Sequence, residues 1–517
     1  MKHILSILIF LPIALAIPAY FFGRKNEKLI KVYTLIASLL TFGLSVYLYF
    51  IFSPDTGEFQ FVEKAIWIKL INAQYFVGID GISLLLILLS TLIFPVSIIA
   101  SWNTVKTRVK EFYILLLVLE GALIGVFCAL DLVLFYVFWE FILIPMYFLI
   151  GIWGGEERIY AAVKFFLYTM FGSVLLLIGI IWLAMINQTY TGAITFDITQ
   201  ITVNSVYIPP DRQLFLFILF TLGFLIKVPL FPFHTWLPDA HVQAPTAGSV
   251  ILAALLLKMG TYGILRFSMG LFPVAFIKAT PYIAVLAVIG IIYGALLSIV
   301  QKDMKKLVAY SSVSHLGFIV LGMFALTQEA MQGAVIQMIN HGLSTGALFL
   351  IVGMLYERRH TKEISRFGGV RKVMPVFAGL FLLVSLSSIG LPGLNGFIGE
   401  FLILAGSFGS FNLGTYWYTI LSTTAVILSA VYLLWLYQRV MLGPLDKEEN
   451  KTLKDIDRYE MASLLPLIVF IIWIGVYPNT FLRITDKSVK KVLMNFDNAK
   501  VKMMKEMEFK KTEDPLP

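Results

Sequence analysis

A single cysteine, Cys128, occurs in 517 residues, and it lies inside an apolar run. No disulfide, no CxxC redox pair and no cysteine-ligated iron–sulfur cluster can be built from this chain alone. The phosphate-cradling patterns GxGxxG and GxxxxGK[ST] are missing, and so is the zinc pattern HExxH. Charged residues are scarce, at 14% of the chain. Whatever energy the protein uses must therefore arrive from a partner or from an ion gradient.

What the chain has in abundance is apolar surface: 59% hydrophobic and 15% aromatic residues, with a mean hydropathy of +0.86. An ordinary soluble domain is about half apolar. Apolar stretches of about 18–25 residues recur from end to end, each long enough to cross a ~30 Å hydrocarbon slab as a helix. The strand-length alternation of a membrane barrel is absent, which leaves helices as the way to satisfy every backbone polar group in lipid. Fourteen spans are expected, near residues 3–22, 30–52, 79–101, 112–129, 131–152, 164–186, 212–236, 246–268, 280–300, 306–326, 330–356, 373–410, 414–438 and 460–482. Ala14-Leu15-Ala16 has the look of a signal-peptide cleavage site, but the positive flank follows the apolar run, the wrong order for a leader.

The net charge of +9 is not gathered into a nucleic-acid-binding patch. It falls in short clusters after alternate spans: Arg24, Lys25 and Lys28; Lys106, Arg108 and Lys110; Lys302, Lys305 and Lys306; Arg358, Arg359 and Lys362; Lys447, Lys451 and Lys454. These read as topology signals that place alternate loops in the cytoplasm and both chain ends outside. The basic tail from Lys487 to Lys511 disagrees with that pattern, so either the last span is miscounted or the tail docks on a partner.

Two spans carry helix breakers in mid-run, Lys227-Val228-Pro229-Leu230-Phe231-Pro232 and Gly390-Leu391-Pro392-Gly393-Leu394-Asn395-Gly396. Proline removes a helical hydrogen bond and collides with the preceding turn, so each is expected to break within the membrane. Broken helices at corresponding places in two halves point to transporter repeats. Lys227 and Glu400 flank the two breaks 173 residues apart (400 − 227), and the same shift carries Glu140 to position 313, beside His315. The expected fold is an all-α polytopic membrane protein of about 14 transmembrane helices, with two inverted five-helix repeats that each contain a broken helix. The units would be 1–105 (helices 1–3), 106–272 (first repeat), 273–440 (second repeat) and 441–517 (helix 14 and the basic tail).

A charge at the bilayer centre costs at least ~2.5–3.5 kcal/mol on insertion scales, so each one needs a reason. Glu140, Lys227, Lys258 and Glu400 lie in spans, with His315 and His341 in spans ten and eleven. Burial disfavours the charged form of an acid or a base, and pairing restores it. A Glu140/Lys227 pair is then a two-state device: paired, the lysine keeps its proton, and with the glutamate neutralised or moved it can release it. Arginine cannot do this, whereas histidine relays near neutral pH. The expected route runs from the Lys227 end to Lys258, and through His315 and His341 to Glu400. The alternative for Glu140 and Lys227 is a static pair that fixes helix register. His315 reads equally as a core histidine, and Lys164 as a residue that snorkels at a helix end. His234 and His241 are secondary candidates, lining the first break either as structure or as proton path.

Four segments are distinctive enough to identify a family: KVPLFPFHTWLPDAHVQAPTAG from Lys227, WEFILIP around Glu140, QKDMKKLVAYSSVSHLGF from Gln301 and MINHGLSTGALFL from Met338. They resemble the signatures of the antiporter-like subunits of respiratory complex I and of the multisubunit Na⁺/H⁺ antiporters. Gly399-Glu400-Phe401 resembles the M (ND4) type, since the L, N and antiporter D types carry lysine at that position. The resemblance implies a proton-translocating membrane-arm subunit of NADH:quinone oxidoreductase, with Glu140, Lys227, Lys258 and Glu400 as the family's charged residues and His315 and His341 at its histidine positions. It implies no cofactor or metal in this chain, with NADH, FMN, iron–sulfur clusters and quinone held by other subunits. Implied partners are L-, N- and K-type neighbours and the lipid bilayer of a bacterial inner membrane, with no nucleic acid. The second reading is the D subunit of a Na⁺/H⁺ antiporter or the equivalent subunit of a membrane-bound hydrogenase. A third is an inert membrane scaffold.

Overall fold

The computed structural model describes residues 3–23, 26–205 and 208–513, with side chains described to Phe496. Arg24 and Lys25 of the first basic cluster, and the side chains of the tail beyond 496, lie outside the described residues. Twelve described helices are long and apolar enough to cross a membrane. Ile4–Phe21, Glu27–Ile51 and Gly81–Ala100 come first. Val109–Cys128, Leu132–Trp153, Arg158–Thr191 and Thr246–Leu271 follow, then Pro273–Val300, Met304–Ala325, Gln328–Arg359 and Trp417–Met441, and finally Arg458–Val476. The two other expected spans are the broken ones, each built of shorter helices.

The helices form an inner set and an outer set. Thr246–Leu271 and Gln328–Arg359 are buried throughout an 18-residue apolar stretch, whereas only 33% of that stretch is buried in Glu27–Ile51 and Arg458–Val476. The sheathed helices carry Lys258 and His341, and the nearly as buried Met304–Ala325 carries His315. The outer helices show Phe50, Phe171 and Val476 outward, an apolar exterior that suits lipid.

At the first break the helix Pro210–Lys227 ends at Lys227 and a new helix, Trp236–Gln243, starts after the two prolines. Pro229 has no N–H for the Leu225 carbonyl, and Leu230 N–H takes that acceptor at 3.0 Å. The Trp236 indole N–H donates to the freed Ile226 carbonyl at 2.9 Å. Freed backbone groups thus find new partners, as irregular backbone at membrane depth requires. At the second break Pro375–Ile389 gives way to Asn395–Phe408 through Gly390 and Gly393, at φ 84° and 92°. Only glycine adopts such angles without strain. A third interruption was not foreseen: Pro145 supplies no N–H to Phe141, and the Glu140 helix turns at Ile142.

Three features go beyond the sequence reading. The helical fold carries one short hairpin: Gln60–Ile68 and Ala73–Ile79 pair antiparallel, with Glu63 opposite Val77 and Ala65 opposite Tyr75. Glu63 of this hairpin accepts hydrogen bonds from the N–H groups of Leu5 (2.9 Å) and Ser6 (3.2 Å), so its charge caps the positive end of the first helix. The last span stops at Val476, short of 482, and a separate helix, Asn479–Glu513, begins beyond Pro478. That helix lies along this chain itself: Ser488 Oγ accepts from Gly81 N–H at 3.0 Å, Gln328 and Gln332 both donate to Asp486, and Phe496 meets Phe276. Finally, Lys305, read as a loop charge, is buried and donates to the Ala244 carbonyl at 2.8 Å.

Candidate functional site

Lys227 is the last residue of its helix, and its buried ammonium points at rings. Nζ lies 5.2 Å from the Trp139 ring centre and 5.6 Å from that of Phe165, with no hydrogen-bond partner. The cation is held by aromatic faces in place of water. Glu140 is within electrostatic range of Lys227, yet the pair makes no N···O contact within 4.0 Å, and Glu140 Oε1 is buried without a partner. The two groups are therefore neighbours whose ion pair is open.

Lys258 is more tightly held. Its helix contains two π turns, Leu252–Leu256 and Ile264–Ser268, one on either side of it. Such single-turn widenings redirect side chains and free carbonyls inside a helix. Lys258 Nζ lies 2.5 Å from the Ala253 carbonyl and 2.6 Å from His341 Nδ1, fully buried. The His341 ring centre is 5.7 Å from that of His315, and His315 Nδ1 is 2.9 Å from Glu400 Oε1. Gln337 also donates to Glu400 Oε1 (3.3 Å), and Asn340 donates to the Gln337 carbonyl (3.3 Å) and to the Asn395 backbone carbonyl (2.7 Å). Between the imidazoles and the second break lies a cavity of about 10 Å³, lined by His315, Gln337, Asn340, His341, Ser344 and Ser388 among others. That is about the space of one water, with polar partners on every side.

Four of the six primary candidates thus form one contact row, in the spatial order Lys258, His341, His315, Glu400. His341 is the imidazole on Lys258 and His315 the one on Glu400. Glu140 and Lys227 form a second group. No hydrogen bond joins Lys227 to Lys258 among the described residues, although their helices touch: a Cβ on Gly260 would lie 2.8 Å from the Phe224 carbonyl oxygen and from Val228 N. Of the secondary candidates, His234 packs between Phe231 and Tyr293 on the break, with Nδ1 unpartnered. His241 is stacked on Phe349 with both ring nitrogens buried and unpartnered. Lys164 forms an ion pair with Asp239 at 2.6 Å.

Sequence reasoning missed Gln337, Asn340, Asn395 and Ser388, whose only signal is polarity at helical spacing inside apolar spans. It also passed over Asp80 and Arg266, a buried ion pair at 2.7 Å. No group of three or more His, Cys, Asp or Glu arranged to hold a metal occurs among the described residues. Chemically, the row offers alternating donors and acceptors through which a proton can step, ending on a carboxyl beside a helix break.

Residues 129–429 match the family profile described as NADH:quinone oxidoreductase/Mrp antiporter, TM, and residues 5–126 match NADH-ubiquinone oxidoreductase chain 4, amino terminus. Similar proteins include NADH-quinone oxidoreductase subunit M of Rhodobacter capsulatus, 46% identical over 96% of this chain and 97% of that protein. NADH-ubiquinone oxidoreductase chain 4 of Marchantia polymorpha is 43% identical over 95% of this chain and 97% of that protein. A chain in the structure titled respiratory complex I from Thermus thermophilus with bound NADH superposes with a TM-score of 0.85 at 30% identity, covering 95% of this chain and 99% of that one.

Proposed function

Because this chain belongs to the NADH:quinone oxidoreductase/Mrp antiporter transmembrane family, on the subunit M (chain 4) branch, we propose that it is a proton-translocating membrane-arm subunit of NADH:quinone oxidoreductase. The redox steps, with NADH, FMN, iron–sulfur clusters and quinone, belong to other subunits. L-, N- and K-type subunits are its neighbours in the membrane, and the inner membrane of a bacterium is its place. The antiporter D subunit is the weaker reading, since the 46% identity to a subunit M runs nearly end to end.

The observation that carries the mechanism is the buried row from Lys258 through His341 and His315 to Glu400. Lys258 is the loading site, because an ammonium with one carbonyl and one imidazole as partners can hand its proton to His341 Nδ1 directly. One water in the adjoining cavity suffices to bridge the two imidazoles, and Glu400 receives the proton from His315. The open Glu140/Lys227 pair is the switch: closing it holds the proton on Lys227, and opening it leaves the ammonium facing only aromatic rings. The units 106–272 and 273–440 are the two halves this assigns, one for the switch and Lys258, the other for the relay to Glu400. Glu140→Gln in the assembled complex tests the reading, with proton pumping and NADH oxidation followed in parallel. Loss of both together supports tight coupling. Undiminished pumping overturns the reading.

A further inference from the structure

Away from that row, a second acid lies deep among the outer helices. Glu120 sits in the helix Val109–Cys128 and faces Glu27–Ile51. It is fully buried: Oε1 accepts from Ser38 Oγ at 3.1 Å, and Oε2 has no partner. No Lys, Arg or His nitrogen of the described residues lies within 4.0 Å of it. Both helices start at the face that carries the basic loops, and Glu120 and Ser38 are each eleven residues in (120 − 109 and 38 − 27). At 1.5 Å per residue that depth is about 16 Å, half of a ~30 Å hydrocarbon layer. An ionised carboxyl there, with one hydroxyl donor and no cation, would be an uncompensated charge.

Two more buried oxygens lie between Glu120 and that face. Thr34 Oγ1, one turn before Ser38, has no partner, and neither does the hydroxyl of Tyr113, seven residues before Glu120 and so on the same side of its helix. Helical side chains lean toward the N-terminus, which carries the Tyr113 ring toward the entrance. At the entrance a cleft of about 440 Å³ opens among Glu27, Arg108, Lys110 and Glu111. Buried polar atoms almost always have partners, in protein or in ordered water. Three unpartnered oxygens, one above another in a single helix interface beneath a charged cleft, are the footprint of a file of water molecules.

We infer that Glu120 is an off-axis proton-binding site, reached by water from the cleft at Glu27 along Tyr113 and Thr34. Its ligand is a hydrated proton and its product the neutral acid, hydrogen-bonded to Ser38. A purely structural acid, clamping two helices through Ser38, accounts for the 3.1 Å contact but leaves Thr34 and Tyr113 without partners. The inference does not rest on the route through Lys258, because none of that route's residues touches Glu120.

The test uses infrared difference spectra of the intact complex, in H₂O and after transfer to D₂O. Subtracting the Glu120→Gln spectrum from wild type should reveal the carbonyl stretch of one protonated carboxylic acid. That band should shift on transfer to D₂O, and should do so several-fold more slowly in a Thr34→Val/Tyr113→Phe variant. Ser38→Ala keeps the acid and removes its donor, so it should move the same band upward and assigns it even where Glu120→Gln fails to assemble. A wild type without such a band, a band that D₂O leaves in place, or an exchange rate unchanged by removing both hydroxyls overturns the proposal. None of these readouts depends on pumping, so its failure and that of the Lys258 route are separable.

Discussion

Replacing Lys258 with methionine isolates proton transfer from folding, because the two side chains have similar length and shape. In the wild-type protein Nζ makes two contacts, with the Ala253 carbonyl at 2.5 Å and His341 Nδ1 at 2.6 Å. Leaving those two groups unpaired costs about 1–3 kcal/mol each, or about 2–6 kcal/mol in total. Removing a buried ammonium relieves a desolvation penalty that is itself several kcal/mol. The two terms nearly cancel, so the complex should assemble to the normal level. The relay then begins at an imidazole with no donor behind it, and pumping with coupled NADH oxidation should fall at least about tenfold, equal to about 1.4 kcal/mol in the barrier. Lys258→Arg keeps the charge but holds its proton permanently, and should be as inactive as methionine. The assay compares assembled complex in vesicles, with a pH-sensitive dye for pumping and NADH absorbance for turnover. Normal pumping by well-assembled Lys258→Met would refute the route, since among the described residues Lys258 is the one lysine or arginine hydrogen-bonded to His341.

Asp80→Asn removes the counter-charge of the buried Arg266 guanidinium, which keeps Ser83 Oγ and Tyr262 OH at 3.3 Å but no anion, and should destabilise by about 3–5 kcal/mol in a thermal-unfolding assay. The double variant Asp80→Asn/Arg266→Met should recover part of that loss. Gly260→Val pushes a side chain against the Phe224 carbonyl and Val228 N and should cost about 1–3 kcal/mol by overpacking, read as lower assembled yield, with the spared complex impaired in pumping. Gly390→Ala combines a left-handed φ of 84°, worth about 1–2 kcal/mol, with a Cβ only 3.0 Å from Glu400 Oε2. It should depress pumping more than assembly, and equal losses in the two would count against Glu400 as the terminal acceptor.

Most spans were legible because twenty apolar residues in a row have no other stable fate in lipid, and the two breaks were legible because proline and glycine act locally. The hairpin at residues 60–79 was not. Its alternation is spoiled by register shifts between Gln60 and Glu63 and between Ile66 and Ile68, so no clean period of two survives in the sequence. The π turns around Lys258 leave no mark either: one is built of leucines and alanines and the other of Ile264-Leu265-Arg266-Phe267-Ser268, neither with a proline or glycine to announce it. Lys305 was misread for a different reason. A lysine at a helix start looks the same in sequence whether it caps a neighbouring helix end or faces water, and only the Ala244 carbonyl decides it. Glu120 and Arg266 carried the same warning as Glu140, a charge within a span, but lie outside the four short motifs that drew attention. The insertion cost applies to every span, and it alone was the signal that could have found them.

The site's two groups also explain each other. A chain of donors and acceptors that stayed connected from face to face would let protons run down their gradient whether or not electrons moved. Here hydrogen bonds join Lys258 to His341 and His315 to Glu400, with room for one water between the two imidazoles, but between Lys227 and Lys258 the contact is an apolar seam of Phe224 and Val228 against Gly260. The seam is narrow because glycine lets the helices meet, and it sits at the end of a broken helix whose last residue is Lys227. Opening or closing the Glu140 pair moves charge at that same helix end. The discontinuity is therefore the natural place for a switch, and Gly260→Val, which widens the seam without touching any titrating group, should impair transfer between the halves while leaving every proton carrier in place.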